Sequence, residues 1–196
     1  MNAQSTQTPP ANPNPQGKGL VTVLTDWTAV QPRLGDVKAP AVLLRDYCFS
    51  ALVLAARFSF RPRPGKTYFL YSGDREWILS LISPAEWGSG APGPFVASCR
   101  LEQDMTWQLE FAEIAPDSDV QPRLQAFVDG FAESIAGQAA PQEALPYYVA
   151  ELPYYQRMLA TGLAVSLRHS MRSLDAATLQ DLGRSLALPG AVADRN

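Results

Sequence analysis

From Ala56 to Phe111 apolar side chains recur at every second position in run after run, and glycine, proline or aspartate closes most of the runs. A period of two sends alternate side chains to opposite faces of an extended chain, so this stretch is bound to strands with one buried face. In AARFSFR, Ala56, Phe58 and Phe60 oppose Arg57, Ser59 and Arg61, and RPRPG then breaks the run. KTYFLYS and EWILSLI follow, joined by SGDR, in which Gly73 and Asp74 are turn formers; Tyr68, Leu70, Trp77, Leu79 and Leu81 fall on the face expected to be buried. PAEWGSGAPGP, from Pro84 to Pro94, is rich in proline and glycine and reads as a loop. Phe95 to Leu101 and Met105 to Phe111 alternate most regularly and read as a hairpin around EQD. The pattern predicts an α+β fold built on an antiparallel β-meander of about five strands. A small barrel or strongly curved sheet spares such a meander an apolar face and two open edges.

Helical signals flank the strands. APAVLLRDYCFSALVLAAR is apolar almost all round, which predicts one short buried helix with Pro40 in its first turn, turning extended somewhere between Val53 and Ala56. Ahead of it, LVTVLTDW, Leu20 to Trp27, has the composition of a short strand. Past Ile114, Asp117, Ser118 and Asp119 offer caps to a helix whose apolar stripe is Leu124, Phe127, Val128, Phe131 and Ile135. LPYY occurs at Leu145 to Tyr148 and again at Leu152 to Tyr155. An internal proline costs a helix roughly 3 kcal/mol, so Pro153 is expected to open a helix through QRMLATGLAVSLRHSM. Ser173 then caps a last one. About three C-terminal helices result. The expected layout is a disordered polar tail over 1–18, a β-meander domain with its leading helix over 19–114, a helical segment packed on it over 115–190, and a frayed end over 191–196.

Charge and composition narrow the function classes. A formal charge of −3 and a pI near 5.2 argue against a surface that is nucleic-acid binding throughout. No stretch approaches the roughly 20 apolar residues of a membrane span, and the first eighteen residues lack the basic and apolar regions of a signal peptide. Cys48 and Cys99 stand far apart in apolar settings, as buried reduced thiols of a cytoplasmic protein do.

Catalytic motifs are scarce. Gly88, Gly90 and Gly93 fit GxGxxG in spacing only, because prolines and a strand follow where a helix N-terminus must face the phosphates. His169 is the single histidine and sits between Arg168 and Arg172 on an expected solvated helix face, so neither a metal site nor a histidine-based triad is assembled, and no cofactor is expected. Three groups remain as binding candidates. Trp87 and Glu86, in the proline- and glycine-bounded loop, are joined by Tyr71, Arg100 and Asp104. Arg57, Arg61, Arg63 and Lys66 form a basic run. Tyr147, Tyr148, Tyr154 and Tyr155 have the makings of an aromatic groove for a peptide, or of core packing.

The strands also carry a resemblance. Phe58 and Phe60; Gly65, Tyr68, Leu70 and Tyr71; Leu79 to Ile82 with Pro84, Glu86, Trp87 and Gly88; and Arg100, Leu101, Asp104, Thr106 and Trp107 fit a set of four patterns: FxF, GxxYxLY, LSLIxPxEWG and RLxxDxTW. Over about residues 54–110 the chain thereby resembles an uncharacterised domain-of-unknown-function family of bacterial and eukaryotic proteins. The resemblance implies a shared β module and brings no activity, cofactor or catalytic residue.

The expected function is a non-enzymatic interaction module that takes a protein or peptide partner at the Ser83–Pro94 loop and the neighbouring strand edge. One alternative is a small-molecule-binding protein or enzyme with a pocket between sheet and helices, using Glu86, Asp104, Arg100 and a tyrosine. The other is nucleic-acid binding through the basic strand face of Arg57, Arg61, Arg63 and Lys66.

Overall fold

The computed structural model describes residues 25, 28–115, 117–136, 152–173 and 176–186. The expected polar tail, the frayed C-terminus, and the first LPYY with Tyr147 and Tyr148 lie outside the described residues. So does the expected strand Leu20 to Trp27, apart from Thr25, which is helical.

Helix α1, Pro40–Ala55, starts as the sequence suggests, with proline in its first turn, where the missing N–H costs nothing. It buries residues on every side, among them Leu43, Leu44, Tyr47, Phe49, Leu52 and Val53. A helix apolar all round needs neighbours all round. On one side it has the sheet, where the rings of Phe49 and Phe111 meet edge to face at 5.3 Å. The C-terminal helices take the rest. They are α3, Val120–Ala136, then α4, Tyr154–Ser170, and α5, Ala176–Ser185. Gln156 of α4 donates from Nε2 to the carbonyl of Ala56 at 2.8 Å, satisfying the backbone where α1 gives way to extended chain.

Among the described residues the sheet has four strands: β1, Thr67–Ser72; β2, Trp77–Ser80; β3, Phe95–Leu101; and β4, Trp107–Phe111. Every pairing is antiparallel and the order is β2-β1-β3-β4. That differs from the expected meander. β2 and β3 are not neighbours, because the chain after β2 passes across β1 through a one-turn helix α2, Pro84–Trp87, and a 3-10 turn, Gly88–Gly90. Among the described residues β2 and β4 remain edges, so the sheet they form is open rather than a closed barrel.

The expected first strand, AARFSFR, contributes one residue. Arg57 bridges Ile78 in parallel, its N–H donating to the Trp77 carbonyl at 2.7 Å and its carbonyl accepting from Leu79 N–H at 3.1 Å. Beyond it the chain leaves the edge toward Pro62 and Pro64, which have no N–H to continue a ladder. Leu81, expected in the buried face, is 61% exposed because β2 stops at Ser80.

Tyr68, Leu70, Leu79, Cys99, Leu101 and Trp107 line the sheet face turned to α1, all of them buried. The opposite face carries Phe69, Ile78, Ser98, Arg100, Gln108 and Glu110, half-buried or exposed. A bulge lets Leu70 pair with Ala97 while Tyr71 pairs with Phe95, leaving Val96 as the extra residue. Gly93 makes the crossing over β1 feasible: a Cβ there would stand 1.9 Å from the Ser72 carbonyl oxygen.

Candidate functional site

The candidate residues divide between two ends of the sheet. Tyr71 and Trp87 meet at one end, near the start of β3. Arg100 and Asp104 belong to the other, since β3 runs its whole length from Phe95 to Leu101 before reaching the β3–β4 turn.

SPAEWG, read above as loop, is the helix α2 with both of its ends written in sequence. Glu86 accepts from the Ser83 N–H at 2.9 Å and from the Ser83 hydroxyl at 2.6 Å, closing a capping box, and Pro84 occupies the first turn. Gly88, at φ 57°, ends it. The S-x-x-E spacing was the signal that a helix starts here. Those two bonds from Ser83 hold the Glu86 carboxyl below its ordinary range although it is exposed.

The purpose of α2 is to set Trp87 against the outer face of the sheet. Its ring lies edge-on to Tyr71 at 6.4 Å, and Tyr71 in turn meets Phe95 at 5.6 Å. Tyr71 is buried and its hydroxyl donates to the Ile82 carbonyl at 2.9 Å. Burial pushes the Tyr71 pKa up, and the Trp87 indole N–H nearby opposes part of that rise. The indole N–H is itself buried and makes no well-formed hydrogen bond among the described residues, so its contact with Tyr71 is polar proximity rather than a bond. Tyr71 thus acts as the support on which Trp87 rests.

Beside this corner an open groove of about 530 Å³ runs along the β2 edge. Phe58 and Phe60 form one wall, Trp87 and Pro92 another, and Ile78 to Ile82 the floor. Leu81 and Ile82 are 61% and 39% exposed there. Arg57 stands at one end, in a direct, solvent-exposed pair with Glu76 at 2.5 Å.

At the other end of the sheet Lys38 donates to Asp46 at 2.8 Å, pairs with Asp104 at 2.7 Å and reaches the Thr106 hydroxyl at 3.0 Å. Asp104 also accepts from Thr106 N–H at 3.0 Å and from its hydroxyl at 2.6 Å. Burial alone would lower the Lys38 pKa, but the bonds to Asp104 and Asp46 outweigh it and raise it. Burial would raise that of Asp104, and Lys38 with Thr106 lowers it instead. Ser50 extends the network inward, donating to the Asp46 carbonyl and accepting from Trp107 N–H at 3.0 Å. Asp104 is therefore committed to a lock between the segment before α1, α1 itself and the β3–β4 turn. Arg100 pairs with Glu102 at 3.3 Å on the exposed face.

The basic run does not converge on one spot. Arg57 faces Glu76, Arg61 reaches the Thr25 carbonyl at 3.5 Å, and Arg63 donates its backbone N–H to the Tyr68 hydroxyl at 2.7 Å, while Lys66 is exposed before β1. Tyr154 and Tyr155 contact each other edge to face at 5.3 Å at the start of α4, and Tyr155 packs on the core. Cys48 and Cys99 are buried and free; burial pushes the Cys48 thiol up to about 12 and raises that of Cys99 as well, which leaves both poor nucleophiles.

Sequence reasoning overlooked Arg123. From α3 it donates to the Ser72 hydroxyl and to the Gly73 carbonyl at 2.8 Å, and its guanidinium lies 4.6 Å from the Trp77 ring centre. Nothing local to residue 123 signals a partner some fifty positions away.

Among the described residues no helix is long and apolar enough to cross a membrane. No solved structure matches this fold. The match to a known family reaches further than the resemblance in the strands, taking in α1 and half of α3: residues 38–128 match the model of the family described as Protein of unknown function (DUF2452).

Proposed function

We propose that the protein is a non-enzymatic interaction module that receives a protein or peptide partner in the groove beside β2, with Trp87 and the Ser83–Pro94 loop as its rim. The observation that carries this reading is the groove itself: an open apolar trough with Leu81 61% and Ile82 39% exposed, on a strand edge that, among the described residues, Arg57 alone bridges. Exposed apolar side chains gathered beside an open strand edge are costly to leave to water, and partners commonly engage such patches. The Lys38 network at the β3–β4 turn supports the assignment by contrast, because its charges satisfy one another.

A pocket between sheet and helices is the weaker reading, since Leu101, Trp107 and Leu163 are buried in the core there. Nucleic-acid binding through the basic run is weaker too, since Arg57 already faces Glu76. The two buried free thiols favour a reducing compartment such as the cytoplasm.

A photo-crosslinking amino acid introduced at Leu81 tests the reading. A captured partner should vanish in Trp87→Ala and persist in Arg100→Ala, with folding checked by circular dichroism. Capture that Trp87→Ala leaves intact and Arg100→Ala abolishes would move the binding surface to the other end of the sheet.

A further inference from the structure

The groove beside β2 is apolar and close to neutral. Among the described residues Arg57 is the one charged side chain that lines it, and Glu76 already pairs with that charge. β2 ends at Ser80, so the floor beyond offers the side chains of Leu81 and Ile82 rather than a ladder of backbone groups. Such a site suits an occupant that is uncharged, rich in apolar surface and independent of strand pairing. A proline-rich segment meets all three conditions. Proline has no N–H to give a strand edge, its ring packs on aromatic side chains, and its fixed φ leaves little ordering cost in a polyproline II helix.

The chain carries such a segment itself, and joins it to the fold beside the groove. Residues 9–15 read PPANPNP, and no charged side chain precedes Lys18. At about three residues per turn, Pro10 and Pro13 fall on one ridge of a polyproline II helix, Pro9, Asn12 and Pro15 on the next, and Ala11 and Asn14 on the third. Thr25, the first described residue, turns its carbonyl to the Arg61 guanidinium at 3.5 Å, and Arg61 directly follows Phe60 of the groove wall. Val30 and Pro62 border one small cavity against Leu159 of α4, which fixes the incoming chain beside the wall segment. The approach there is close, since a Cβ on Gly162 would stand 2.4 Å from the Val30 carbonyl oxygen. The chain from Pro13 to Thr25 can span up to about 40 Å, far more than the one side-chain length between Thr25 and the wall.

Resting on the interaction reading above, we infer that residues 9–15 of this chain dock in the groove as a polyproline II segment and restrain its use by a partner. The two proline ridges seat against Phe58, Phe60 and Trp87, and the third ridge faces water. The exposed Ser59 hydroxyl at the groove can donate to a backbone carbonyl, which this helix leaves unbonded. A tether of this length supplies an effective concentration of about 1 mM, so an intrinsic Kd of about 0.1 mM keeps the groove about nine-tenths filled. A partner then gains Leu81 and Ile82 by displacing the tail.

Benzoylphenylalanine in place of Leu81 in the full chain reads the contact by photo-crosslinking. Trypsin cuts after Lys18 and Arg75, so a docked tail joins residues 1–18 to the peptide 76–100 within one chain. Combining Pro9→Ala, Pro10→Ala, Pro13→Ala and Pro15→Ala should cut the yield about threefold or more as the groove empties, whereas Ala11→Ser with Asn14→Ser should leave it unchanged. By fluorescence anisotropy the labelled peptide STQTPPANPNPQG, residues 5–17, should bind the four-proline variant about tenfold more tightly than the parent chain, whose groove is already filled. Equal binding to the two chains, or an internal crosslink that the four-proline variant leaves unchanged, would overturn the inference. A product between isotopically light and heavy chains would make a second copy's tail the occupant and overturn it too, as would a crosslink from position 81 to any other segment. Trp87-dependent capture of a separate protein with no product from residues 1–18 would remove the tail from the groove and leave the interaction module standing.

Discussion

The β2 edge and the β3–β4 turn carry opposite solutions to one problem. At the β3–β4 turn, charged groups are drawn inward and matched: Asp46 is wholly buried, Lys38 is 25% exposed, and Asp104 and Thr106 complete the set. Along the β2 edge, apolar groups are left outside: Leu81 and Ile82 face a groove that opens past the bridge to Arg57. A buried ion pair with every partner internal fixes which segments meet, and it has little to offer a ligand. An apolar edge beside an open groove has the reverse balance. The difference separates residues that hold the fold from residues free to meet something else, although the bare sequence offers both sets as polar or aromatic residues near turns.

The contrast breaks most readily at Asp46. Asp46→Ala strands the Lys38 ammonium in a half-buried site and should cost about 3 kcal/mol of stability, toward the low end for a broken buried pair, because Lys38 keeps Asp104. Urea unfolding reads that loss, and binding at the groove should survive in whatever fraction stays folded.

Met105 offers a smaller break at the same end. It is buried at φ 66°, a conformation that ordinarily favours glycine, and its side chain packs beneath α4, where a Cβ on Gly162 would come within 2.9 Å of the Met105 Cγ. Met105→Gly removes about 1 kcal/mol of backbone strain and forfeits about 2 to 3 kcal/mol of side-chain burial. A net loss of about 1 to 2 kcal/mol in thermal or urea unfolding is expected. A gain would show that packing does not hold that residue in place.

Acid sharpens the comparison further. The folded Asp104 pKa is depressed, so its contribution is present above the unfolded value of about 4 and lost as pH falls through the folded value. Stability should decline on acidification below about pH 5, and Asp104→Asn should flatten that decline. Lys38, whose folded pKa is raised, contributes below its unfolded value near 10.4 and loses that contribution as pH rises through the folded one.

Leu81→Ser should have the smallest effect on stability, within about 0.5 kcal/mol, since the residue is mostly in water. It should nonetheless reduce capture at the groove, and a large destabilisation would show that Leu81 belongs to the core after all.

Much of the architecture was legible because it rests on periodicity. The all-round apolar run fixed α1 as a buried helix, Pro40 marked its start, and alternation identified all four strands and the β3–β4 hairpin. Strand order was not legible. It depends on a crossing that Gly93 permits by lying against Ser72, a contact that no local pattern announces. FSF alternates as a strand should, yet pairing also needs an available edge and N–H groups, and the prolines at 62 and 64 lead the chain away. At the candidate site, Trp87 stood out by composition, while the role of Glu86 was readable from S-x-x-E spacing as a cap. Lys38 and Arg123 act through partners distant in sequence and become visible only in three dimensions.

α1 has a further consequence for how the chain can be divided. Because its side chains are covered by the sheet on one side and by α4 and α5 on the other, the family segment ending at residue 128 stops short of what that helix requires. Cutting the chain there would bare the flank of α1 that Leu159 and Leu163 help to cover, and the excised piece should be sticky and prone to precipitate. The limits of the family match and the limits of an independently soluble unit are, in this protein, set by different elements.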